Sequence, residues 1–107
     1  MTARFFPAEG EFLAPDEVVV TFDRGVPVAI DGETVLVPEA RRMLGARGEA
    51  QRIGRGAVAL ATAYRALEQA TPVRTASGEV RLVLHDGRVT VAGLRPTDEH
   101  DEEKREQ

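Results

Sequence analysis

Cysteine is absent from this 107-residue chain, and so is any long apolar run. Without thiols the protein has neither a disulfide framework nor a zinc–thiolate site, which excludes thiol redox chemistry and most structural zinc modules. No segment approaches the roughly 20 apolar residues of a membrane-spanning helix, and the first residues, MTARFFP, lack the apolar run of a secretory signal peptide. We therefore expect one small soluble domain that is cytoplasmic and has no membrane partner.

Charge is unevenly distributed along the chain. Residues 1–40 carry eight acids and two arginines, residues 41–96 four acids and ten arginines, and residues 97–107 six acids and two bases. The three parts therefore differ in sign, although the formal net charge is only −4. A net acidic chain is not typical of nucleic-acid binders. We expect the basic middle to pair with acidic segments, within a subunit or between subunits.

Alternating apolar residues predict two β-hairpins. In the first, a strand around Val18–Phe22 turns and returns as Val26–Ile30. Pro27 cannot donate a ladder hydrogen bond, so an edge or a bulge is expected there. In the second, Gly78–Gly93 turns at an Asp-Gly pair, one of the strongest short-range hairpin signals. Isolated hairpins are marginally stable, so the two are expected to pair as one sheet.

Two segments predict helices. Pro38 suits the first turn of a helix, which is expected to be short because Gly45 and Gly48 interrupt it. The clearer helix is Ala57–Ala70, where apolar residues recur at helical spacing. The stripe expected to be buried consists of Ala57, Leu60, Ala61, Tyr64 and Leu67.

The expected fold is α+β, with two β-hairpins forming a four-stranded antiparallel sheet packed by one short and one longer helix. Residues 1–96 are expected to form this single domain, with Phe5, Phe6 and Phe12 contacting the core or an interface. Residues 97–107 contain no large apolar residue and are expected to be an acidic disordered tail.

Arginines concentrate between residues 41 and 55, where only Glu49 opposes them. Guanidinium groups at a helix end or in a Gly-rich connection suit phosphate and carboxylate groups. The candidate anion-binding site consists of Arg41, Arg42, Arg47, Arg52 and Arg55. The alternative is a solvated face balanced by acidic segments of the same chain, and the sequence leaves both interpretations open.

The remaining polar residues form no catalytic constellation. His85 stands beside Asp86 at a hairpin tip, where a solvent-exposed turn histidine is the simpler interpretation. Asp23 and Asp31 fall in turns, where aspartate caps its own backbone. No serine has a plausible histidine and aspartate partner. We therefore predict no catalytic residues, no metal site and no cofactor.

Two strings resemble argininosuccinate synthases. EVVVTFDRGVPVAIDGE at 17–33 is similar to a hairpin in which a strand leads into a GVPVA-aliphatic-(Asn or Asp)-G turn. GEVRLVLHDGRVTVAG at 78–93 resembles the hairpin near the C terminus of the same family. Both occur in the family's order and cover roughly a third of the chain. The matching positions are hairpin scaffold, namely Gly25, Val26, Pro27, Gly32, Gly87 and Gly93.

In that family the two hairpins belong to the synthetase and multimerisation part of a tetrameric ligase, which joins citrulline to aspartate through an adenylated intermediate. The family's Ser-Gly-Gly-x-Asp loop, whose backbone N–H groups cradle pyrophosphate, has no counterpart in this chain. The family's SRG-x-YETPG stretch, which contains a citrulline-binding tyrosine, also has no counterpart in this chain. Tyr64 has no matching neighbours, so that role is not carried over to it.

The resemblance implies a non-catalytic assembly or partner-binding module, related to the C-terminal part of argininosuccinate synthase. Such a module would be a homo-oligomer or would bind a protein such as an adenylating domain. The alternative is one subunit of a split ATP-dependent amino-acid ligase, inactive alone and connected with arginine biosynthesis. A third hypothesis, independent of the resemblance, is an anion-binding regulatory domain that uses the arginine cluster.

Overall fold

The computed structural model describes residues 13–54, 56–70 and 77–97. Within these ranges the elements are β1 (Asp16–Asp23), β2 (Val26–Ile30), β3 (Glu33–Thr34), α1 (Val37–Ala50), α2 (Gly56–Ala70), β4 (Gly78–His85) and β5 (Arg88–Pro96). Neither helix in these ranges is long and apolar enough to cross a membrane. The interpretations of Phe5, Phe6 and Phe12, and of the acidic tail beyond Thr97, concern positions outside the described residues.

The strands form one antiparallel sheet of five strands in the order β3-β2-β1-β4-β5. The α+β class is confirmed, but the predicted number of four strands is wrong. The extra strand is β3, a two-residue strand that pairs with Ala29 and Ile30 of β2. It forms because the Asp31–Gly32 turn reverses the chain directly after β2.

The three hairpin turns share one backbone geometry. Each has two central residues with positive φ, at 54° and 82° in Arg24–Gly25, 52° and 85° in Asp31–Gly32, and 47° and 85° in Asp86–Gly87. This is the type I′ turn, whose twist matches that of the flanking strands and which favours glycine at the second position. These three dipeptides, each with glycine second, therefore specify where the chain reverses direction in each hairpin.

The expected bulge beside Pro27 is present. Thr21 of β1 pairs with Ala29, but the next residue, Phe22, pairs with Pro27, so that Val28 is the extra residue of β2. The backbone oxygen of Val28 instead accepts a hydrogen bond from the N–H of Val35 at 3.0 Å. The sheet edge is thus irregular at the position where proline removes a donor.

The helices pack against one face of the sheet and form the core with it. As predicted, Val18 and Phe22 point into this core. On α2 the stripe differs from the prediction, because Ala61 is exposed. The α2 residues buried against the sheet are Ala59, Ala63 and Leu67, with Leu60 and Tyr64 partly buried beside them. Small side chains let a helix approach a sheet closely, so the contact line runs along the alanines.

The prediction that the first helix is short is wrong. The helix α1 has 14 residues against 15 in α2. It continues through Gly48 because this residue is buried, and a Cβ there would lie 3.6 Å from Cβ of Ile53. The helix ends at Ala50 with Gln51 as its C-cap, and beyond it the N–H of Arg52 (φ 65°) donates to Glu49 and the N–H of Ile53 donates to Gly48. These two bonds are those of a Schellman motif.

Candidate functional site

Arg47 of the predicted anion cluster contacts two aspartates of the chain itself. Its Nε and Nη2 donate to Asp16 at 2.9 and 2.8 Å, and its Nη1 donates to Asp31 at 2.7 Å. Nη2 also donates to the backbone oxygen of Glu17 at 2.9 Å. The guanidinium thereby joins α1 to the start of β1 and to the β2–β3 turn. The pairing of the basic middle with acidic segments thus occurs here within the subunit.

This network shifts the protonation of its members. Burial raises the pKa of the Asp31 carboxyl, but a hydrogen bond from the Val19 N–H and the charge and hydrogen bond of Arg47 together lower it below the ordinary value. The hydrogen bond to Asp16 raises the pKa of Arg47 above its ordinary value, against the opposing effect of burial. Asp31 and Arg47 are therefore both charged at neutral pH, and their contacts hold parts of the same chain together.

The other arginines of the cluster lie apart from Arg47. Arg52 pairs with Asp86 at 3.2 Å, and both side chains are about half exposed. Arg41 and Arg42 are exposed on the outer side of α1. Arg55 lies outside the described residues. Among the described arginines of this cluster, no two guanidinium groups are brought together by a shared partner.

The hairpin positions that match the family lie in turns and strands. Gly25, Gly32 and Gly87 are the second residues of the three turns. A Cβ on Gly25 would lie 3.3 Å from the ring of Tyr64. The remaining positions, Val26, Pro27 and Gly93, lie on strands β2 and β5. All six positions thus belong to the turns and strands of the hairpins.

Gln51 has a role that the sequence analysis did not predict. Its side chain is buried, its Nε2 donates to the backbone oxygen of Ala14 at 2.7 Å, and its Oε1 accepts from the N–H of Asp86 at 3.1 Å. The backbone oxygen of Gln51 accepts from the N–H of Gly87. This residue connects the end of α1, the approach to β1 and the β4–β5 turn. Polar residues are common at helix termini, so the sequence pattern did not distinguish Gln51 from other residues of that kind.

The sheet face opposite the helices is open in the described part of the chain. Strand register and the alternation of buried and exposed residues identify which side chains lie on it. They are Glu17, Val19, Thr21, Glu79, Arg81, Val83, His85, Arg88, Thr90 and Arg95. The face therefore combines β-branched residues with charges of both signs.

Two ion pairs run across this open face. Arg95 contacts Glu79 directly opposite at 2.8 Å, and Arg81 contacts Glu17 at 3.4 Å. Arg81 lies beside Gly93, where a Cβ would be 3.5 Å from its Cζ. The Arg81 side chain therefore lies along the sheet across Gly93 at van der Waals distance.

The face also has two shallow depressions. One is lined by Arg81, Gly93 and Arg95 together with Val19, Glu79 and Leu94. The other lies at the hairpin tip and is lined by Val83, His85, Asp86, Arg88 and Thr90. Each depression contains arginine, and both follow the β4–β5 hairpin. This open face is the candidate functional site.

The described residues were also searched for side chains that could hold a metal ion. In residues 13–54, 56–70 and 77–97, no group of three or more histidine, aspartate or glutamate side chains is arranged to hold a metal ion. The Nε2 of His85 lies 2.9 Å from the backbone oxygen of Leu13, so this histidine contacts the approach to β1. No protein-family model matches the chain.

Proposed function

We propose that this chain is a non-catalytic assembly module, related to the C-terminal part of argininosuccinate synthase, that binds another protein subunit through the open face of its sheet. One observation carries the proposal: the helices cover one face of a five-stranded sheet, while the other presents half-buried Val19 and Val83 among charged side chains. A sheet with one face left open by residues 13–54, 56–70 and 77–97 resembles half of a two-layer packing.

The composition of the open face suits a protein partner. The β-branched side chains Val19 and Val83 can exclude water at a contact, and the arginines are residues that interfaces favour. The intramolecular pairs Arg81–Glu17 and Arg95–Glu79 keep the face nearly neutral, so a second subunit is not repelled. The two family-like strings, 17–33 and 78–93, supply all of the listed side chains of this face except Arg95, which supports the relation to a multimerisation region.

The test is site-specific photo-cross-linking in the native host. A photo-reactive amino acid in place of Val83 lies on the open face, and one in place of Arg65 lies on the exposed side of α2. We expect a protein adduct from position 83 and none from position 65. Mass spectrometry then identifies the partner, which is a second copy or a different chain. Absence of an adduct at position 83, or equal adducts at both positions, would contradict the proposal.

A second candidate is that the module is one subunit of a split ATP-dependent ligase. The resemblance of both hairpins to argininosuccinate synthase favours it, and the missing Ser-Gly-Gly-x-Asp loop means that a separate chain must bind ATP. An adenylating protein as the position-83 adduct would support this candidate. The measurement is pyrophosphate release by that protein with amino-acid substrates, with and without this chain. No increase on adding the chain would reject it.

A further inference from the structure

We infer that the open side of the β4–β5 hairpin binds an extended acidic polypeptide segment, an inference that rests on the proposed function and names the chemistry of the partner. Three guanidinium groups lie there. Arg88 stands opposite His85, Arg81 opposite Gly93, and Arg95 opposite Glu79. On β4, Glu79, Arg81 and His85 alternate with buried residues and share the open side. Arg88 pairs with His85, and the register shift of β5 opposite Arg81 and Leu82 brings Arg95, which pairs with Glu79, to the same side.

These arginines have binding capacity left after their internal contacts. The side chains of Arg95 and Arg81 are 79% and 54% exposed, and within the described residues each makes one ion pair through one nitrogen, Nη2 in Arg95 and Nε in Arg81. A guanidinium carries five N–H donors in a planar fork. Each group can therefore hold its internal glutamate at one edge and accept a second carboxylate at another.

The spacing of the arginines fits an extended ligand. Arg88 and Arg95 pair with His85 and Glu79, which lie six positions apart on β4, a span of about 20 Å at the rise of a β-strand. The two depressions, one with Arg88 and one with Arg81 and Arg95, lie along this line. β5 is an edge strand with β4 as its only neighbour among the described strands. A segment of seven to eight extended residues with acids toward both ends would reach both depressions.

The charge balance of the face favours a polypeptide over a nucleic acid. Glu17 and Glu79 lie on the same face as the three arginines. Phosphates follow one another every few ångströms along a nucleic-acid strand, and some of them would meet these glutamates. In an extended acidic peptide only every second side chain points toward the face, so its carboxylates lie about 7 Å apart and can reach the arginines without lying against the glutamates.

The test measures binding of a fluorescein-labelled deca-glutamate peptide to the full-length chain at low salt, by anisotropy, with deca-glutamine as the neutral control peptide. We expect deca-glutamate to bind and deca-glutamine not to bind. Exchanging both Arg81 and Arg95 for glutamine, as Arg81→Gln and Arg95→Gln, should weaken binding about tenfold, as expected for the loss of two exposed ion pairs. The matched control, Arg24→Gln with Arg65→Gln, removes the same charge elsewhere and should leave binding within twofold of the wild type.

Equal weakening by both variant pairs would overturn the inference, since binding would then follow net charge alone. Absence of deca-glutamate binding, or tighter binding of a single-stranded oligonucleotide at the same salt concentration, would overturn it too. Circular dichroism melting of both variants verifies that they fold. The photo-adduct at position 83 is read independently. If it forms while deca-glutamate does not bind, this inference fails and the assembly function stands; if neither is seen, both fail.

Discussion

The guanidinium of Arg47 and the carboxylate of Asp31 lie 2.7 Å apart and tie the C-terminal half of α1 to the β2–β3 turn. Asp31 also accepts the N–H of Val19 at 2.9 Å, so one carboxylate links a helix, a turn and the central strand β1. Because Arg47 binds Asp16 as well, the cation bridges two acids that are 15 positions apart in sequence. This arrangement leads to the first prediction.

Asp31→Asn should destabilise the protein at neutral pH by on the order of 1 kcal/mol, a modest value because the ion pair is partly exposed to solvent. Asparagine tolerates the positive φ of this turn position, so the change isolates the charge. The folded-state pKa of Asp31 is lowered; its stabilisation is therefore present above the unfolded value of about 3.9 and is lost as the pH falls through the folded pKa.

Urea unfolding at a series of pH values checks this prediction. The wild-type and Asp31→Asn curves should differ most near neutral pH and converge below about pH 4. Glu33→Gln is the control, because Glu33 is an exposed acid of the same hairpin that makes no ion pair within the described residues. A constant difference between wild type and Asp31→Asn across this range would contradict the assignment.

Gln51→Ala should lower the free energy of unfolding by about 2 kcal/mol, since it leaves the Asp86 N–H and the Ala14 oxygen without their partner. The side chain is only 6% exposed, so water replaces these bonds poorly. Glu49→Ala, an exposed change two residues earlier in the same helix, is the matched control and should alter stability by less than about 0.5 kcal/mol. Similar losses in both variants would show that the side-chain hydrogen bonds of Gln51 make no specific contribution to stability.

Gly78→Ala should be among the most destabilising single changes in the sheet, by at least about 2 kcal/mol. Gly78 has φ 143°, and a Cβ there would lie 2.5 Å from the backbone oxygen of Arg95 and 2.7 Å from Cα of Pro96. Gly32→Ala is the control, because Gly32 also has positive φ but nothing within 4 Å of its Cβ position. Gly32→Ala should lower the free energy of unfolding by about 1 kcal/mol, which is the cost of placing alanine in the left-handed backbone conformation. Thermal melting that ranks the two variants equally would contradict the crowding at Gly78.

Arg52→Gly should increase stability by up to about 1 kcal/mol. Arg52 occupies the left-handed position after α1 with φ 65°, where glycine has no penalty. The lost contact to Asp86 at 3.2 Å is exposed and contributes little. Arg52→Ala loses the same contact, and alanine keeps the cost of the positive φ that glycine removes. The alanine variant should therefore melt below both the wild type and the glycine variant. A glycine variant that melts at the temperature of the alanine variant would rule out this account of the helix end.

Phosphate should leave the melting temperature unchanged at millimolar concentration, because the described arginines of the predicted anion cluster do not converge. A ligand raises the melting temperature only if it binds the folded state. A rise that Arg41→Ala with Arg42→Ala abolishes would instead support the anion-binding regulatory domain. Differential scanning fluorimetry with and without phosphate makes the distinction, with chloride at equal ionic strength as the control.

Local patterns predicted the strands and turns well. Alternating apolar residues identified the core face of Val18–Phe22, and the Asp86–Gly87 pair identified the second hairpin turn. The length of α1 was missed because helix propensity penalises Gly48 by about 1 kcal/mol, whereas packing of Ile53 against this glycine favours the helix. Such contacts are tertiary, and sequence spacing does not reveal them.

The candidate site was less accessible to prediction than the fold. The density of arginines in residues 41–55 directed attention to α1, but spacing along the chain does not show that Arg47 turns inward to Asp16 and Asp31. The open sheet face draws its side chains from β1, β4 and β5, far apart in sequence. Its arginines, Arg81 and Arg95, stand singly among apolar residues, so no local cluster marked them.

The antiparallel pairing of β1 with β4 also has a consequence for folding kinetics. Each hairpin closes through a two-residue turn, which forms on the microsecond scale. The seam between them, from Asp16↔Leu84 to Phe22↔Gly78, joins segments more than 50 positions apart and requires closure of a long loop. We therefore expect this step to limit the folding rate, so that substitutions at Val18 or Leu82, and at the hairpin turns that form before it, slow refolding more than they accelerate unfolding.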